Sequence, residues 1–303
     1  MNRRTVGILL ALSTACISGV AIWVNGHAVT HFTDATVYTT AKDAVAGLLL
    51  CLLAVTWRSR GPAPAAVQLS PRARIAGLAA VAVIGGSVPF VLFFEGLARA
   101  EATQASFIQK TLVIWVVLLA VPLLREKVRW PHLLAIVLLI AGQAWLVPAV
   151  GRVAFGTGEA MILGATLLWS VEVIVVKKLL AGMPSRTLAA ARMGLGTALL
   201  FGWLAVAGKL GTFAALGMTQ WRWVVLTGLI LTAYVGTWYA ALARAQAVDV
   251  TAVLVFGAVV TAALSGAFDG VSVNPVGTVL IVIGTLLIGA LALRRKTEEA
   301  GAT

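Results

Sequence analysis

GLARAEATQASFIQKTLVIWVVLLAVPLLREKVRWPHLLAIVLLIAG, residues 96–142, reads as an apolar helix, a short charged break at Arg125-Glu126-Lys127-Val128-Arg129, and a second apolar helix. A related stretch, ALARAQAVDVTAVLVFGAVVTAALSGAFDGVSVNPVGTVLIVIG, occupies residues 241–284. Laying Gly96 over Ala241 sets an offset of 145 residues. The features then fall in one order: small-Leu-Ala-Arg-Ala, a polar link, a long apolar run, a break carrying an acid, and a second run closing on Gly142 or Gly284. Self-similarity of this kind marks an internal duplication, which decides architecture before any single element does.

Composition sets the solvent. The 303-residue chain is 60% hydrophobic and 11% charged, with mean hydropathy +0.99. A soluble domain carries about 25% charged residues, so this chain is an all-α polytopic membrane protein. Its net charge of +12 reads as Lys and Arg gathered in loops on one membrane face, not as a nucleic-acid surface. Cys16 and Cys51 sit in apolar runs, with no disulfide framework or metal spacing around them. Met1-Asn-Arg-Arg and Ala15-Cys16 imitate a cleaved leader. Ser13 breaks that pattern and the apolar run continues to Val24, so the segment is kept as the first span.

A span needs about 20 mostly apolar residues. Ten fit, at 6–29, 35–57, 75–97, 103–124, 130–147, 159–180, 187–206, 221–243, 250–268 and 275–293. They divide into repeats at 1–148 and 158–293, followed by a tail at 294–303. With the N-terminus inside, the cytoplasmic set holds Arg3, Arg4, Arg58, Arg60, Arg72, Arg74, Arg125, Lys127, Arg129, Lys177, Lys178, Arg186, Arg244, Arg294, Arg295 and Lys296. The outer set holds Arg99, Arg152, Lys209 and Arg222. Both termini are therefore expected in the cytoplasm. Five spans per half is odd, so the repeats are inverted. Inverted repeats place a substrate site near the midplane, between the halves. The fronts of the halves agree: His27 precedes Lys42 by the same 15 residues that separate Lys177 from Arg192.

Ionisable groups inside spans face the bundle interior or a wet cavity. Lys110 lies about seven residues into its apolar run, beside Gln109. It either binds a substrate carboxylate or snorkels outward on its long stem. Glu172, mid-span and three residues after Trp169, shares that residue's face. It is the candidate for proton coupling, or else a static partner of a basic residue. Lys42 and Asp43 are adjacent, about 100° apart on a helix, which favours separate partners over a mutual pair. Lys42 and Arg192 are read as structural charges in equivalent places. Glu95 and Asp249 lie near span ends, where either can simply sit at the interface. Asn25 faces the bundle, toward a cavity or a helix–helix hydrogen bond. Tyr234 and Trp238 share a face and, with Phe94, Trp115 and Trp169, line an aromatic pocket or serve packing and the interfacial belt. Gly85-Gly86 with Pro89 interrupts span 3.

No enzyme constellation, metal site or cofactor motif is present in the sequence. His27, His31 and His132 form no metal-ligand cluster in the sequence, and no phosphate-binding loop exists. Without an ATPase domain, the energy for any transport is expected from a gradient or from the substrate's own.

These residues resemble the drug/metabolite transporter superfamily, EamA type. The likeness rests on the five-helix repeat, Trp169-Ser-Val-Glu172 with Lys177-Lys178, and Arg192 opening span 7. It also rests on Pro122 before Leu123-Leu124-Arg125-Glu126-Lys127, and on the glycines closing spans 5 and 10. Two departures stand out: Asn25-Gly26-His27 where many members carry a lysine, and Phe268-Asp269-Gly270 where the first repeat has Glu126-Lys127. The resemblance implies a multi-pass cell-membrane protein of bacterial or archaeal inner-membrane type. It would export amino acids or related metabolites by alternating access, with protons as one coupling ion. Its partners would be a small-molecule substrate and the bilayer; a monomer suffices and a dimer is compatible. The rival readings are a carrier of lipid-linked sugar, a carrier of cationic drug-like compounds, and a non-transporting assembly protein.

Overall fold

The computed structural model describes residues 2–56, 70–146 and 155–300, with side chains to 292. Arg58, Arg60, Arg152, the repeat boundary at 148 and the side chains of the 294–303 tail fall outside it. Among the described residues there are helices and no strands. The first repeat runs α1 (Arg3–Val29), α2 (Ala35–Thr56), α3 (Pro71–Ile84), α4 (Val88–Leu97), α5 (Ala102–Lys110), α6 (Leu112–Leu124) and α7 (Trp130–Leu146). The second runs α8 (Thr157–Leu179), α9 (Ser185–Val206), the short linker α10 (Leu210–Ala214), α11 (Met218–Leu242), α12 (Ala247–Leu254), α13 (Gly257–Phe268) and α14 (Pro275–Ala300). Three spans are broken helices: α3–α4, α5–α6 and α12–α13. Among the described residues nine spans have the length and apolarity to cross a membrane, and α7, shorter and apolar, is the tenth.

Packing repeats with the sequence. α1 lies on α11 and on α12–α13, while α8 lies on α3–α4 and on α5–α6. α2 packs on α9, and α7 on α14. Exchanging the two halves maps this set onto itself. The start of α1 and the finish of α8 meet at the same place: Arg3 donates to Ala243 O, and Lys177 to Leu242 O and Ala245 O. α1 and α8 therefore run in opposite senses, so the repeats are inverted. The breaks obey the same relation. α5–α6 breaks at Thr111 and α12–α13 at Val255–Phe256, in register with the 145-residue offset.

Lipid drives no hydrophobic association between helices, so close contact and hydrogen bonds hold them. A Cβ on Gly277 would fall 2.5 Å from Leu146 Cα, and one on Gly284 would fall 2.8 Å from Leu139 Cγ. Small residues thus let α14 lie directly on α7.

Away from the termini, the link between α1 and α2 is pinned by Asp34. Its carboxylate accepts from the α2 amides of Thr36 and Val37 at 2.9 and 3.0 Å and lies 2.6 Å from Lys209 Nζ. Partial burial alone would push this carboxyl up; the Lys209 ammonium and the two amides outweigh it and hold it below its ordinary value. A carboxyl depressed by folding stabilises above its unfolded pKa, and that stability fades as pH falls through the folded value. Asp34→Asn should therefore melt below wild type near pH 7, and the gap should close below about pH 4. A gap indifferent to pH in detergent melts would disprove the linkage.

Candidate functional site

The broken spans face a cavity of about 70 Å³ between the repeats. Its polar wall begins at the break in span 3. In an unbroken helix the Gly85 carbonyl would accept from residue 89, but Pro89 has no N–H. The freed Gly85 O accepts instead from Arg192 Nε and from Trp169 Nε1, both at 3.1 Å. A sequence break in one repeat thus fixes a cation and an indole of the other.

Arg192, 3% exposed, has two further groups. Nη2 lies 3.6 Å from Glu172 Oε2. Nη1 makes no protein hydrogen bond among the described residues, although the residue lines the cavity. Glu172 is held from the other side, where Tyr239 Oη donates to its Oε1. Its carboxylate is therefore shared between a guanidinium and a phenol.

Lys42, at the place equivalent to Arg192, pairs with Asp43 at 2.7 Å. This corrects the expectation of separate partners: the four-carbon stem curls round the helix to reach its neighbour. The ammonium also lies 4.0 Å from the Phe94 ring centre and 4.7 Å from that of Phe90, close enough for cation–π attraction. Phe90 meets Trp169 edge-on and Phe93 meets it at a tilt, Phe94 packs on both phenylalanines, and Tyr234 and Trp238 lie parallel, 6.3 Å apart. Asn25 is locked by accepting from Tyr38 Oη at 2.5 Å and donating to Ala21 O at 2.6 Å.

The structure therefore brings Asn25, Phe94, Trp169, Glu172, Tyr234 and Trp238 together on one wall. Lys42 and Arg192, read from sequence as structural charges, stand on that wall as well. Lys110 does not. It lies behind the wall, donating to Ser18 Oγ at 2.6 Å and Gln109 Oε1 at 2.7 Å, two neutral acceptors that do line the cavity. Its stem passes Gly257 at the opposing break, where a Cβ would come within 3.2 Å of Lys110 Cε. Ser18 and Phe90 were missed in the sequence. Ser18 was detectable, since it sits seven residues, two helical turns, before Asn25 on one face.

Glu95 and Asp249 fall near the ends of the bundle. Glu95 accepts from Thr36 at 2.9 Å and pairs with Arg99 at 2.6 Å. Asp249 pairs with Arg4 at 2.7 Å and lies 3.7 Å from His132. Among the described residues no group of His, Cys, Asp and Glu is placed to hold a metal ion.

An inverted-repeat bundle with a mainly apolar cavity between its halves, set with Lys42, Glu172 and Arg192, fits one class: a membrane transporter. The model of the EamA-like transporter family matches residues 5–147 and 156–290, and the chain belongs to that family. A solved structure described only as "Crystal structure of protein" shares the fold, with TM-score 0.65 and 17% identity over 92% of this chain and 99% of that one. No curated protein matches the chain.

Proposed function

We propose that the chain is a secondary exporter of amino acids or closely related carboxylate-bearing metabolites, working by alternating access in the cell membrane with both termini cytoplasmic. The observation that carries this reading is the Arg192 guanidinium on the cavity wall, with Nη1 unpartnered among the described residues. A guanidinium fork matches a carboxylate in two parallel hydrogen bonds. A carboxylate seated there displaces Glu172 from Arg192, and the α-ammonium of the same ligand then takes up Glu172 Oε2. The aromatic side chains that line the same cavity receive the apolar body.

Glu172 supplies the coupling. A proton and a ligand ammonium compete for its one available oxygen, so the outward-moving form carries ligand and the returning form carries a proton. That competition makes the transport an antiport, which suits export against a gradient. A cationic drug is a poorer fit, because Arg192 and Tyr239 already hold Glu172. The cavity's lining comes from one copy among the described residues, which supports a monomer as sufficient.

Counterflow tests this in proteoliposomes preloaded with mixed unlabelled amino acids, one labelled amino acid being offered outside at a time. Wild type should accumulate at least one label. Glu172→Gln should abolish the acceleration given by an imposed pH gradient. If no label accumulates into vesicles holding folded protein, the amino-acid reading fails. If the pH-gradient response survives in Glu172→Gln, the coupling assignment fails.

A further inference from the structure

The two ends of the bundle are built from related parts but closed differently. At the end carrying the terminus, the carboxylate of Glu126 caps a helix of the other repeat: it accepts from Ala247 N at 2.7 Å and Val248 N at 3.0 Å, the first amides of α12. The local backbone aims it there. Arg125, just before it, is left-handed at φ 54, the one non-glycine with positive φ among the described residues, and that turn swings the chain out of α6. A carboxylate on the first amides of a helix satisfies orphan donors and complements the helix dipole.

The 145-residue offset places α5 where α12 stands, with Ala102 over Ala247. No side chain among the described residues is recorded accepting from the first amides of α5, and its N-cap residue Glu101 makes no cap bond of its own. The acid that closes the second repeat's break is Asp269, beside left-handed Gly270 at φ 70. It accepts from Trp23 Nε1 at 2.8 Å and lies 3.2 Å from His27 Nε2. That pair is half-exposed, whereas the Arg4–Asp249 pair at the other end is buried on its acid side. Asp269 is near its unclaimed target: Gly26, next to His27, touches α5, and a Cβ there would meet Ala102 Cβ at 3.1 Å.

We infer that Glu126 and Asp269 are exchanging caps that latch opposite ends of the transporter. In the state described here Glu126 holds α12 and seals the terminal end. In the alternate state Asp269 leaves Trp23 and His27, seats on the first amides of α5 and seals the other end, while Glu126 releases α12. Two charge-assisted backbone bonds at a helix start are stronger than the half-exposed contacts Asp269 gives up. The exchange rests on the alternating-access reading but not on any choice of substrate.

Accessibility of the cavity tests it without a substrate. Leu231 lines the cavity and is replaced by cysteine in a Cys16→Ala/Cys51→Ala chain. A membrane-impermeant methanethiosulfonate is applied to right-side-out or inside-out vesicles. The readout is the labelling rate from the side of residues 125–129, divided by that from the opposite side. Glu126→Gln should raise this ratio about tenfold and Asp269→Asn should lower it about tenfold. The double variant should return close to the parent. Shifts in the same direction, or within twofold of the parent, would overturn the exchange. If Glu126→Gln does not fold, the fall in Asp269→Asn decides alone. Labelling of the parent from one side only would overturn alternating access itself, which separates the two failures.

Discussion

Arg192→Lys is expected to cut amino-acid counterflow about a hundredfold or more, with the protein still folded. Lysine keeps the charge beside Glu172, so no buried carboxylate is stranded; alanine would strand it at a cost of about 3–5 kcal/mol. What lysine cannot supply is the fork. It offers one ammonium where arginine donates from Nε to Gly85 O while turning Nη1 and Nη2 to the cavity and to Glu172. Losing a bidentate carboxylate contact removes about 3 kcal/mol, given about 1.5 kcal/mol or more for each charged hydrogen bond. Initial counterflow rates, paired with melting temperatures of the same preparations, separate binding from folding. Arg192→Lys that retains a third of the wild-type rate would remove Arg192 from the binding site.

That prediction falls on a residue that sequence reading assigned to structure, and the reason is physical. Depth inside an apolar run is visible in a sequence, so Lys110 stood out; the direction a side chain faces is not. Arg192 lies only a turn or two into α9 and looks interfacial until α3–α4 packs across it. The break at Gly85-Gly86 and Pro89 was legible because proline and glycine are local signals. Its use as an acceptor for two side chains of the other repeat was not, since it depends on partners over 80 residues away. The break at Thr111 had no local mark at all: Lys-Thr-Leu-Val contains no proline or glycine. The duplication and the opposite sense of the repeats were readable, because repetition and hydrophobic length are properties of the chain alone.

Gly86→Ala should be the most damaging glycine-to-alanine exchange among the described residues. A Cβ built there falls 1.9 Å from Arg192 O and 2.9 Å from its carbonyl carbon. Both are helix backbone, which cannot rotate aside as a flexible side chain would. Gly196 presses back on the same spot, where a Cβ would lie 2.4 Å from Gly86 O. Relief therefore means moving α9 away from the span 3 break as a body, which stretches the Arg192–Gly85 bond and opens the packing between repeats. Ordinary overpacking costs about 1–3 kcal/mol, and a backbone clash this deep belongs at or above the upper end. Gly236→Ala is the control: a Cβ added at that point of α11 meets nothing within 4 Å, and exchanging a mid-helix glycine for alanine gains about 0.5–1 kcal/mol. Melting in detergent should thus move in opposite directions for one and the same chemical change, with Gly86→Ala also losing counterflow. A Gly86→Ala protein that melts with wild type would mean that α9 and span 3 are not in contact at this point, and the positioning of Arg192 by Gly85 would fall with it.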